Sequence, residues 1–160
     1  MTTPTIATVR AAIKTRFESI ADIGQVHDYE RYTKLASALS QLYVAEIDGE
    51  DQLRGLHFRR VSTRETYQAL NRWQIYHKWQ ARYFMALADD NASERTFDTV
   101  IEAIRDDFRL NPEIVGGLRK CDIVNDEDEG GVQVSESQPV LFAGVLCHSA
   151  RLTFTTRQLE

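Results

Sequence analysis

The sequence predicts an α+β domain, with a mainly antiparallel sheet and two principal helices packed on one of its faces. Three observations carry this expectation. The run 72–87 alternates in period two, two other segments repeat apolar residues every three to four positions, and a further strand-like run closes the chain. Strands in pairs separated by a helix, with another helix in front, favour helices gathered on one face of an antiparallel sheet.

The first helix is read from Ile6, Val9, Ile13, Phe17 and Ile20, which form one apolar stripe with Arg10, Lys14 and Glu18 on the other side. Thr5 or Thr3 can cap it, and Pro4 sits where an early proline is tolerated. Gly24 closes this unit, and a short strand is expected over 25–29. In the next stretch Leu35, Ala38, Leu39 and Leu42 have helical spacing, whereas Tyr43, Val44 and Ile47 favour strand. It is expected to be a helix leading into a loop at Asp48-Gly49, with a strand following over 53–61.

The strongest strand signal is the run 72–87. Trp73, Ile75, His77, Trp79, Ala81, Tyr83, Met85 and Leu87 alternate with Arg72, Gln74, Tyr76, Lys78, Gln80, Arg82, Phe84 and Ala86. One row should meet a core and the other water or a partner. At roughly 3.3 Å per residue such a strand reaches about 50 Å, so either a bend interrupts it or it projects from the body.

A second helix is expected to start at Asn91 as cap, with Glu94 three residues on as its capping-box partner. Phe97, Val100, Ile101, Ile104 and Phe108 form its apolar face, and Asn111-Pro112 stops it. The segment 113–138 reads as an irregular connection containing Gly116-Gly117 and an acidic run. The final strand is expected over 140–156, with Val140, Phe142, Leu146, Ala150, Leu152 and Phe154 on one parity.

At 160 residues the chain fits a single domain, and its 42% hydrophobic share allows a real core. The net charge of −5 argues against a protein that coats DNA, which needs clustered Lys and Arg. Two cysteines, Cys121 and Cys147, suit a reducing compartment. Arg10 and Lys14 interrupt any signal-peptide core, and no apolar run approaches the roughly 20 residues of a membrane helix. A soluble, intracellular chain with no membrane partner is expected.

Chemical motifs are sparse. His27, His57, His77 and His148 are far apart and never at i, i+4, so the bland reading of unrelated strand histidines outweighs a zinc site. Cys147-His148 suggests nucleophile and base, but neighbours on a strand point to opposite faces. Asp126 and Asp128 match the first two ligand positions of a calcium loop, yet Gly130 and Ser137 fall where the third and twelfth ligands belong. No cofactor, metal site or catalytic residue is expected. Basic residues interleaved with aromatics, from Arg59 to Arg82, could bind single-stranded nucleic acid. A contact between identical copies fits better, because Trp73 and Trp79 should face the core while Lys78 and Arg82 face out. The candidate interface residues are therefore Arg59, Lys78 and Arg82, with Asp126, Glu127, Asp128 and Glu129 as an acidic partner surface on the next copy.

The order of a helix, the segment VHDYERY, strands such as LRGLHFRRV and RWQIYHKWQARYFMAL, the helix SERTFDTVIEAIRDDFRLNP and the closing PVLFAGVLCHSARLTFTT resembles the tail terminator proteins of long-tailed phages and Mu-like prophages. The likeness spans nearly the whole chain, and it lacks a chemical signature. It implies a virion protein of the tail, assembled in the host cytoplasm. Such a protein forms a six-fold ring on the completed tail tube, stops polymerisation and presents a surface for head joining. Its implied partners are further copies of itself, the tail tube protein and a head-completion or neck protein, with DNA passing through the lumen without specific binding. A head-completion or neck subunit is the nearest alternative, followed by a cysteine-dependent enzyme or a nucleic-acid-binding module.

Overall fold

The structure, a computed structural model, describes residues 3–125 and 130–159. Helix α1 (Ile6–Glu18) leads to strand β1 (Gln25–His27), the short helix α2 (Ala36–Gln41), and strands β2 (Val44–Ile47), β3 (Glu50–Gln68) and β4 (Arg72–Ala86). Helix α3 (Ser93–Leu110) follows, then β5 (Glu113–Val115), β6 (Cys121–Ile123), β7 (Gln133–Phe142) and β8 (Val145–Leu159). The sheet runs β1-β3-β4-β8-β6-β5, with β2 paired to β3 and β7 to β8. Every pairing is antiparallel except β1 with β3. It is the expected α+β architecture.

Both principal helices cover one face. Val9, Ile13 and Phe17 of α1 and Phe97, Ile104 and Phe108 of α3 bury against Leu56, Phe58, Trp79, Leu152 and Phe154. Fully burying side chains of this size contributes roughly 1.5–3 kcal/mol each. Trp79 keeps its indole satisfied by donating from Nε1 to Thr156 Oγ1 at 2.9 Å. Arg16 joins the C-terminal ends of the helices, donating to the carbonyls of Asn111 and Glu113 at 2.5 and 2.7 Å. The opposite face carries a smaller cluster of Tyr43, Leu53, Phe84 and Cys147, where Phe84 stacks on Phe142 at 3.9 Å between centroids.

Two glycines let β1 lie against β3. A side chain at Gly24, whose φ is +82°, would meet the Arg54 carbonyl oxygen at 2.1 Å, and one at Gly55 would meet the Gln25 carbonyl oxygen at 2.4 Å. No residue with a Cβ fits either position without moving backbone.

Several local expectations need correction. The stretch expected to be a helix running into a loop is the single turn-and-a-half of α2, and then β2 pairs with β3 across an Asp48-Gly49 turn with φ of 53° and 81°. Val44 and Ile47 obeyed their strand preference because β3 offered them a partner, whereas Tyr43 sits in the turn before β2. Asn91 does not cap α3. It ends a 3-10 turn (Asp89–Asn91), Ala92 adopts a left-handed conformation, and Ser93 Oγ instead accepts the Ala88 N–H at 2.9 Å.

The connection at 113–138 is not irregular throughout, since β5, β6 and the start of β7 lie in it. β5 and β6 are too short to show a period, and β7 is exposed through most of its length, so no apolar alternation marked them. The closing strand is in fact the β7–β8 hairpin. Ala143 and Gly144 form its two-residue turn with φ of 51° and 81°, as tight hairpins require. The turn reverses the parity, which puts Val140 and Phe142 with the Cys147 cluster on the opposite face. Leu146, although in the row of Ala150, Leu152 and Phe154, is 52% exposed rather than in the core.

Candidate subunit interface

Strand β3 runs on past its outer neighbours, and the β3–β4 tip extends beyond β8, which accompanies β4 as far as Gln74. β1 pairs with β3 at residues 55–57 and β2 at residues 50–53, so the outer edge of β3 beyond His57 has no strand neighbour among the described residues. From Arg59 onward β3 is exposed except for half-buried Thr66. The strand therefore both bends and projects. A register shift between Arg60 and Ser62 leaves Val61 as an extra, exposed residue, and a three-residue loop at 69–71 closes the arm. Bulges and charged side chains are how open edges resist random pairing, and Arg60 and Arg64 sit where that protection is needed.

The arm is ordered by its own side chains. Tyr67 and Trp73, directly opposite in register, meet edge to face at 5.2 Å. Arg64 lies over the Tyr76 ring at 4.5 Å, and the Tyr67 hydroxyl accepts the Asn71 N–H at 3.3 Å. Leu70 and Asn71 take left-handed φ of 66° and 57°. Trp73 has the parity assigned to the core row, but it lies beyond the helices and is 42% exposed, which overturns its expected burial. Trp79, six residues along the same row, is fully buried.

Lys78 and Arg82 lie on the sheet face opposite α1 and α3, as alternation required, and Arg59 of β3 shares that face. Register places Arg59 across from Gln80, and Lys78 and Arg82 lie two residues to either side of Gln80 on β4. Their states differ. Lys78 is exposed, Arg59 lies 3.9 Å from Glu30, and Arg82 is held by Glu136 at 2.6 Å. Arg151 grips the other oxygen of Glu136 at 2.7 Å, so one carboxylate on the irregular middle of β7 clamps two strands. Sequence reasoning missed this clamp, whose only trace is a lone acid in the polar run of β7. Asp126, Glu127, Asp128 and Glu129 lie outside the described residues.

The segment Val26-His27-Asp28-Tyr29-Glu30-Arg31 ties β1 to its surroundings. His27 Nε2 donates to the Leu42 carbonyl at 2.7 Å, and Glu30 reaches His57 as well as Arg59, each at 3.9 Å. Tyr43 Oη lies 3.0 Å from His57 Nδ1. Burial holds His57 below its ordinary pKa, with the nearby Glu30 carboxylate pulling the other way.

Cys147 and His148 point to opposite faces. The thiol joins the Tyr43 cluster and burial pushes it up to about 11, whereas His148 Nε2 lies 2.7 Å from Ser93 Oγ on the helix side. Burial likewise pushes Cys121 up to about 11. Among the described residues no group of three or more His, Cys, Asp and Glu is arranged to hold a metal ion, and no helix is long and apolar enough to cross a membrane. In comparisons with known proteins, no family model and no curated protein matches the chain.

Proposed function

We propose that the chain is a ring-forming structural subunit of a tailed-phage virion, which caps the completed tail tube and offers the surface for head joining. The observation that carries this reading is the projecting β3–β4 arm. It is longer than the core needs, ordered by its own side chains, and carries exposed Tyr67, Leu70 and Trp73 at its end. An arm that leaves one copy to meet a different surface on the next makes a head-to-tail contact, and repetition of such a contact closes into a ring when the rotation permits. The tail assignment itself rests on the sequence resemblance, which also supplies the six-fold count and the neighbours, the tail tube protein and a head-completion protein.

The test is to label the chain and image particles made by the genome that encodes it. Label at the head-proximal end of the tail tube is the expected result. Label at the portal would reassign the chain to the neck, and particles without label would remove it from the virion.

A further inference from the structure

We infer that the β3–β4 arm docks on the opposite end of the same sheet in a second copy of the chain, where the β2–β3 turn lies. The assignment rests on the ring reading above and names the two surfaces that touch. Its first support is charge. Residues 59–72 hold four arginines (Arg59, Arg60, Arg64 and Arg72) against the single acid Glu65, a net charge of +3 on a chain of net −5. Everything outside the arm therefore carries −8. A basic, aromatic arm on an acidic body favours meeting another body, since complementary potentials steer encounter and fix register.

The topology says where on that body. β3 spans the sheet from end to end, and its 19 residues cover roughly 60 Å at about 3.3 Å each. One end is the arm. At the other, Glu46, Asp48, Glu50 and Asp51 are all exposed, and none of them forms an ion pair among the described residues. Glu46 and Asp51 stand directly opposite each other in the β2–β3 register. Like charges facing across a strand pair are destabilising, and a cation from outside would relieve them. Arg60, Arg64 and Arg72 likewise have no acidic partner among the described residues, and the Arg64 guanidinium spends itself on a tyrosine ring. A strand basic at one end and acidic at the other makes a contact that is head-to-tail by construction.

The experiment is light scattering on the full chain and two charge-reversed variants, with salt titration. The arm variant is Arg64→Glu/Arg72→Glu and the end variant is Glu46→Lys/Asp51→Lys. Wild type is expected to associate, and to do so less as salt screens the contact. Each variant alone should associate at least about tenfold more weakly, because its two ends now carry the same sign. Mixed in equal amounts they should re-associate, the acidic arm of one meeting the basic end of the other. That rescue also excludes misfolding as the cause of the loss. If the single variants assemble as wild type does, the contact is overturned while the ring reading stands. A mixture that stays dissociated, or a wild type monomeric at every concentration, overturns the contact too. Wild type that forms only a closed two-fold dimer sinks the ring reading along with it. Loss of duplex-DNA binding in the arm variant, with its mass unchanged, would give the arm to nucleic acid instead.

Discussion

Protonating His57 leaves Nδ1 able only to donate, so the Tyr43 hydroxyl 3.0 Å away must then accept, and the charge itself sits among buried side chains. Burial has already lowered the histidine's folded-state pKa below the unfolded value near 6.5. Below that value the unfolded chain binds the proton more readily, so stability is full above about pH 6.5 and declines as pH falls. His77 and His27 are also lowered, chiefly by burial, and act in the same direction. The free energy of unfolding should fall between pH 7 and pH 5, by no more than about 1.4 kcal/mol per pH unit for each proton taken up, and the melting temperature should fall with it. His57→Gln should flatten that slope, and an unchanged slope would mean that another group controls it. At Gly24, alanine should cost more than about 1 kcal/mol in urea melts, since it meets both a left-handed φ and the Arg54 carbonyl.

At the scale of elements, α3 and the arm make opposite forecasts for side chains that sequence alone treats alike. Ile104→Ala and Phe108→Ala should each cost roughly 2–5 kcal/mol, because both side chains are fully buried under the sheet. Trp73→Ala should change the monomer's stability by no more than about 0.5 kcal/mol, despite the larger side chain lost. Urea unfolding of the three variants checks this, and a Trp73 cost matching Ile104 would put the arm's end in the core. The contrast shows what the sequence made legible. Period identified α1, α3 and β4 and the face each buries, because every one of them lies against the main core. It could not say that the core stops before Trp73, since where the helices end relative to a strand is a tertiary fact. Nor could period reveal β5 and β6, three residues each, or the Ala143-Gly144 turn, where two left-handed residues join strands that read as one apolar run.

For the whole molecule, the candidate interface was partly legible. Alternation put Lys78 and Arg82 on one face, and they are there, with Arg59 brought beside them by the β3–β4 register. It could not foresee that Glu136 and Glu30 already engage two of them, because those acids arrive from β7 and from the segment after β1. The more open basic surface lies further along, at Arg60, Arg64 and Arg72, on an arm that the length of β4 alone suggested. An arm of one sign on a body of the other is useful only when copies meet in a repeating, one-way order, so the ring is the claim on which the functional reading stands. Light scattering across a concentration series, followed by imaging of the peak, tests it most directly. The expected result is a closed ring, with six copies of 18.3 kDa giving about 110 kDa. A stable dimer related by a two-fold axis, in which both arms are used and no surface is left to propagate, would contradict it.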